Sequence, residues 1–128
     1  MIISFDIDGC VTKYPEHFLF LGNGVHLSGG TLHFVTARPE AQRDETIALL
    51  TRLGFAAIED THTQHLHMYP INYQYPWLSH EEHEMHVLNH AAWKARKCLE
   101  LGIQLHYDDC ARNIASIIAV GVPAFQVY

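Results

Sequence analysis

The sequence predicts an α/β fold, three layers in a Rossmann-like arrangement with a mainly parallel sheet between helices, and three observations carry that reading. Short β-rich runs alternate with stretches of helical periodicity, the pattern that generates βαβ units. The first run, Ile2 to Phe5, is almost continuously apolar, as a strand covered on both faces requires. Gly54, Gly102 and Gly121 each follow a helical stretch, at the place where a C-terminal cap residue belongs.

Taken in order, the strands are expected at Ile2 to Phe5, Leu32 to Thr36, Gln104 to Tyr107 and Ala124 to Val127, with a weaker one between Phe55 and Met68. Pro39 suits the first turn of a helix that carries Ile47, Leu50 and Leu53 and stops at Gly54. Ser79 and Glu82 have the spacing of a capping box, so a second helix starts there and runs through Val87, Ala91, Cys98 and Leu101. A third covers Ala111 to Val120, with Ile114, Ile117 and Ile118 facing the core. Two stretches fit less well. Lys13 to Gly30 is rich in glycine and aromatic residues and shows no clear helix, and Asp60 to Pro76, rich in His, Tyr and Pro, reads as a surface loop. Long loops often carry function, so residues 60–79 are a candidate small lid.

The chain of 128 residues fits a single domain, residues 1–128, with room for a real core. Its 48% hydrophobic and 17% charged residues are ordinary for a globular protein and unlike a disordered one. A net charge of −6 argues against an extensive nucleic-acid surface, which draws on many Lys and Arg side chains. A small phosphorylated substrate, or the phosphorylated end of a larger molecule, remains compatible with that charge. The N-terminus has no basic leader and only a short apolar run, which predicts neither a signal peptide nor a membrane span and points to a cytoplasmic protein. Cys10, Cys98 and Cys110 form no CxxC pair and are expected as reduced thiols. A homo-oligomer is compatible with everything in the sequence.

The chemistry sits in acidic pairs. Asp6 and Asp8 follow the first strand, and Asp108 and Asp109 follow the run Gln104 to Tyr107, so two carboxylate pairs fall at the C-terminal ends of expected parallel strands. Ligands of open α/β sheets bind outside those ends, near the point where strand order reverses. If the strands are neighbours, as many as four carboxylates converge, and a hard divalent cation relieves their repulsion. Oxygen ligands without His or Cys favour magnesium over zinc. A turn through Gly9 lets one aspartate of the first pair face the metal and the other the substrate, the division that nucleophilic and acid–base roles need. Thr36, with the backbone N–H groups of Ala37 and Arg38, is placed to hold a phosphate oxygen at the start of a helix. Arg38 lies at the site mouth, and Lys94 can supply positive charge to a phosphoryl oxygen.

Together DIDGCV after the first strand, FVTAR at the end of the second, Lys94 in WKARKCLELG and the acids of LHYDD resemble, in order and content, the haloacid dehalogenase superfamily of phosphohydrolases. The resemblance spans nearly the whole chain and implies that superfamily's fold without a large cap domain. It implies a Mg2+-dependent phosphomonoester hydrolase in which Asp6 attacks phosphorus to form an aspartyl-phosphate. Asp8 would protonate the leaving alkoxide and later activate water, while Thr36 and Lys94 orient the phosphoryl group. Magnesium would be held by Asp6, by Asp8 through its backbone carbonyl and by Asp108, with Asp109 supporting directly or through water. An acid at position 8 resembles the phosphatases and phosphomutases of the superfamily rather than its dehalogenases. Cys10 departs from the usual Thr, and the stretch between Thr12 and Thr31 is short for the usual helix. The loop Tyr69 to Trp77 is the candidate cover, and its MYP resembles polynucleotide 3′-phosphatase domains.

Two other classes stay open. One is a non-catalytic phosphate- or metal-binding regulatory module on the same fold. The other is a transition-metal-binding protein, because the chain has 11 histidines and His80, His83, His86 and His90 recur at helical spacing. HEEHEMH contains no HExxH, since Glu84 and Val87 stand where the second His would be. His62, His65 and His67 form no recognised ligand set.

Overall fold

The structure, a computed structural model, describes residues 1–55, 64–71 and 79–128. Five strands, β1 (Ile2–Phe5), β2 (Thr31–Pro39), β3 (Gln64–Tyr69), β4 (Leu105–Asp108) and β5 (Ala124–Gln126), form one sheet in the order β3-β2-β1-β4-β5. Every neighbouring pair is parallel. Strand order therefore reverses between β1 and β4, which places the crevice for a ligand at their C-terminal ends.

Helices α1 (Pro15–Leu27), α2 (Arg43–Arg52), α3 (His80–Glu100) and α4 (Ala111–Ala119) complete three layers. Period-two alternation along the strands divides the core between two faces. On one, Ile3, Phe5, Leu32, Phe34, Leu66 and Met68 pack with Phe18 and Val25 of α1 and Leu50 of α2. On the other, Ala95 and Cys98 of α3 meet Ile117 of α4, with Ile103 and Val122. Among the described residues there is no large cap domain.

α1 occupies a stretch where the sequence predicts no helix. Gly22 and Gly24 each lower helix propensity by about 1 kcal/mol, but Gly22 also lets the helix approach the sheet. A Cβ there would stand 3.2 Å from Leu32 Cδ2. Pro15 opens the helix, and Phe18 meets Phe5 edge to face at 4.8 Å. Packing outweighs the local preference.

Pro39 ends β2 with extended dihedrals instead of opening a helix. A short 3-10 turn, Glu40–Gln42, intervenes before α2, whose Leu50 is fully buried and which is followed, after its cap Leu53, by Gly54 (φ 106°). Residues 64–69 are the edge strand β3, where the sequence predicts a surface loop. The rest of the lid, residues 60–63 and 72–78, lies outside the described residues, as does His62. The weaker strand expected between Phe55 and Met68 corresponds to β3. α3 starts as expected, with Ser79 Oγ accepting from the Glu82 N–H at 3.1 Å. In α4, Ile117 is buried, but Ile118 is 53% exposed and Asn113 takes an inward place. Asn113 and Ile117, four apart, define the inward stripe.

Candidate active site

Asp6 follows β1 directly, and its N–H donates to Tyr107 O at 2.8 Å, which extends the pairing of β1 with β4 by one bond. That bond holds Asp6 level with the end of β4, where Asp108 stands. Lys94 reaches both from α3, its Nζ donating to Asp6 Oδ1 and Asp108 Oδ2 at 2.7 Å each. Lys94, Asp6 and Asp108 are only 1%, 6% and 0% exposed, so three charges are held in a dry place by mutual pairing. Sequence reading expects Lys94 to supply charge to a phosphoryl oxygen. In the structure Lys94 is a buried counter-ion shared by Asp6 and Asp108.

The charge states follow from this packing. Burial pushes the Asp6 carboxyl up to about 7, against the pull of Lys94 and with the help of nearby Asp108. Burial would raise Asp108 too, but the Lys94 ammonium and His106 outweigh it and hold its carboxyl well below the usual carboxylate range. Burial disfavours charge on Lys94, yet Asp108 and Asp6 hold its ammonium above the ordinary lysine range.

Asp109 is exposed and turns back over the loop after β1. A Cβ at Gly9 would stand 2.1 Å from Asp109 Oδ2, and Gly9 adopts φ 77°, so glycine is required there by both space and backbone. Asp6, Asp108 and Asp109 each offer a carboxylate oxygen within 4.8 Å of the others. Three oxygen donors so close fit a hard divalent cation of the magnesium kind and suit a thiophilic or imidazole-preferring metal poorly.

Asp8 takes no part in that trio. The chain turns through Asp8 (ψ 128°) and Gly9, and the Asp8 carboxylate is gripped by Arg38, Nε to Oδ2 and Nη2 to Oδ1, both at 2.8 Å. The expected convergence of four carboxylates is therefore a convergence of three, because a bidentate guanidinium offers the fourth a better partner than a crowd of like charges. Arg38 is steadied by Nη1 on Thr46 Oγ1 at 3.2 Å, and its N–H donates to Thr36 Oγ1 at 3.1 Å. Thr36 is buried and Ala37 is partly buried between them. Asp8, Thr36, Ala37 and Arg38 thus form the β2 side of the site, and Asp108, Asp109 and Lys94 the β4 side.

Three groups that sequence reading missed support Asp108. His106 Nε2 is 3.0 Å from Oδ2, the Cys110 N–H donates to Oδ1 at 3.0 Å, and Asn113 Nδ2 lies 3.2 Å from both oxygens. A signal was present for His106, since a polar residue two places before Asp108 on a strand shares its face.

The histidine stripe of α3 gives no comparable set. Among the described residues, the acidic trio is the one group of three or more metal-ligating side chains that converges. His90 packs its ring on Tyr69 at 4.4 Å. His33 Nδ1 lies 2.9 Å from His67 Nε2 on the sheet, and burial pushes both rings down to about 4. Cys10 and Cys98 are fully buried, and burial pushes the Cys98 thiol up to about 11, a poor nucleophile. None of the helices described is long and apolar enough to cross a membrane.

No family model matches the chain, and no curated protein matches it. Among solved structures it is similar to the C-terminal domain of a hydrogenase from Pyrococcus furiosus, at 15% identity and a TM-score of 0.52, over 98% of this chain and 89% of that one. At that identity the likeness bears on the α/β fold alone.

Proposed function

We propose that the chain is a Mg2+-dependent phosphomonoester hydrolase of the haloacid dehalogenase type, acting through Asp6. The observation that carries this reading is the meeting of Asp6, Asp108 and Asp109 within 4.8 Å at the strand-order reversal, with Lys94 bonded to two of them. Asp6 attacks phosphorus, the bond to the leaving oxygen breaks, and the phosphoryl group rests on Asp6. Once released by Arg38, Asp8 takes up a proton from solvent and gives it to the leaving alkoxide, then takes one from the water that cleaves the aspartyl-phosphate. Arg38 binds a phosphoryl oxygen with the donors it now spends on Asp8, so substrate binding frees the acid it protects. Thr36 and the backbone beside it orient the same group. Asp6, Asp108, Asp109 and the Asp8 carbonyl would hold the cation, which when bound neutralises charge on the transferring phosphoryl group. The reading includes a cytoplasmic location, favoured by thiols that pair with no other Cys.

The Arg38 clamp also favours a second reading, a phosphate- or metal-binding module without turnover, because an acid gripped at both oxygens must be released before it can hand over a proton. Hydrolysis of p-nitrophenyl phosphate with Mg2+ and with EDTA separates the two. Mg2+-dependent turnover that Asp6→Asn abolishes supports the hydrolase. Tight phosphate binding with no turnover supports the module, and full activity in Asp6→Asn overturns the mechanism.

A further inference from the structure

The floor beneath the acidic trio is polar, and the proposed chemistry makes no use of it. Ser4 and His106 are register partners on β1 and β4, and Ser4 Oγ lies 2.6 Å from His106 Nδ1. Two residues further on from each, on the same face, stand Asp6 and Asp108. The two neighbouring segments thus carry two stacked rungs, Ser4 with His106 below and Asp6 with Asp108 above. α3 crosses both rungs, because Lys94 and Cys98 are four apart and share one helix face. Lys94 bridges the upper rung at 2.7 Å to each acid, and Cys98 Sγ lies 3.9 Å from Ser4 Oγ in the lower. His106 ties one rung to the other through the 3.0 Å contact of Nε2 with Asp108 Oδ2. Ser4, His106 and Asp108 are each 0% exposed, so water does not compete for these contacts.

The directions of the bonds follow from donor and acceptor counts. An ionised carboxylate only accepts, so His106 Nε2 carries a proton and donates to Oδ2. The opposite nitrogen is held by the Ser4 hydroxyl. Oδ2 also receives Lys94 Nζ, and Oδ1 receives the Cys110 N–H, with Asn113 straddling the two oxygens. A carboxylate has about four acceptor sites and four donors reach this one, so a cation would share Oδ1 with the Cys110 N–H or displace Asn113, the most distant donor at 3.2 Å. We infer that Ser4 and His106 are positioning residues for Asp108, which fix the plane of its carboxylate so that one of its oxygens stays within 4.8 Å of carboxylate oxygens of Asp6 and Asp109. The inference rests on the metal-dependent reading of the trio.

Outer partners of ligating groups are worth about 10–100-fold in metal affinity. The test is Mg2+ binding to the full chain by calorimetry, with long-range 1H–15N spectra of the His106 ring, for wild type, His106→Leu, His106→Gln and Ser4→Ala. The ring of wild type is expected to be protonated at Nε2. His106→Leu should weaken Mg2+ binding about 10–100-fold with unchanged circular dichroism. His106→Gln, whose amide can donate from near the Nε2 position, should recover most of that loss, and a merely structural role predicts no such rescue. Ser4→Ala should weaken binding severalfold and alter the ring spectrum. Wild-type affinity in His106→Leu, or a ring protonated at Nδ1 alone, overturns the inference and leaves the trio standing as a metal site. If His106→Leu does not fold, Ser4→Ala decides, and an unchanged affinity and spectrum overturn the inference. Failure of wild type itself to bind Mg2+ overturns the metal-dependent reading, and the inference with it.

Discussion

Replacing Lys94 with methionine keeps the length of the side chain and removes the one cation between Asp6 and Asp108. Lys94 is 1% exposed and bonds to both acids at 2.7 Å, so little solvent is available to take its place. Breaking a buried pair by deleting one partner costs about 3–5 kcal/mol. The repulsion left behind has a similar size: two carboxylate oxygens within 4.8 Å repel by about 3 kcal/mol at an effective dielectric near 20. These are two estimates of the same cost and do not add. Asp6 offers an escape, because burial has already raised its carboxyl to about 7 and the loss of Lys94 raises it further. A carboxyl raised in the folded state gives stability at low pH that is lost as pH rises through its folded value. The penalty should therefore be greater at pH 8 than at pH 5. Urea unfolding in EDTA, followed by circular dichroism, should show a loss of about 4 kcal/mol at pH 8, a midpoint lower by about 2 M for an m-value near 2 kcal/mol/M. At pH 5 the loss should be less than half as large. A loss under about 1 kcal/mol at pH 8, or equal losses at both pH values, refutes the view that Lys94 is the buried counter-ion of both acids.

Arg38→Ala removes both bonds to Asp8 and the phosphate donors, and should raise KM for p-nitrophenyl phosphate about 10–100-fold, the worth of a charged hydrogen bond, with a smaller fall in kcat; an unchanged KM excludes Arg38 from substrate binding. Gly9→Ala should cost about 1–2 kcal/mol for the left-handed backbone alone, and should raise the Mg2+ concentration for half activity because the new Cβ displaces Asp109; wild-type behaviour in both measurements disproves the close packing. His33 and His67 are held neutral by burial, down to about 4 from an ordinary 6.5. The unfolded chain therefore takes up protons first, and the pair contributes stability that is present above pH 6.5 and lost towards pH 4. His33→Phe/His67→Phe should flatten the urea midpoint against pH in that window relative to wild type, and an identical slope refutes the assignment.

The acids of the site were legible because charge at the end of an apolar strand is costly unless used, and both pairs stand at strand ends. Gly54, Gly102 and Gly121 marked their helix ends through the positive φ that only glycine adopts easily. α1 was illegible for the opposite reason: Gly22 weakens the local signal for a helix, while its value lies in contact with Leu32, which is far away in sequence. The direction of Asp8 was hidden in a turn of two residues, where a small change of backbone decides between the acids and Arg38. Ser4 and His106 read as ordinary strand residues until the register of β1 with β4 brings them together. Ile118 was misplaced because periodicity sets which residues share a stripe but leaves the phase of a short helix to its neighbours.

Pairing β1 with β4 joins positions as far as 102 apart in the chain, and Lys94 meets Asp6 across 88. Contacts of such long range are closed against a large loss of chain entropy and are expected late in folding. The half of the sheet made by β1 and β2 can form before Asp6 has its counter-ion. Assembly of the buried Asp6–Lys94–Asp108 group thus coincides with closure of the central seam, and in a chain still emerging from its ribosome Asp6 would wait for Lys94 until the last third of the residues had docked.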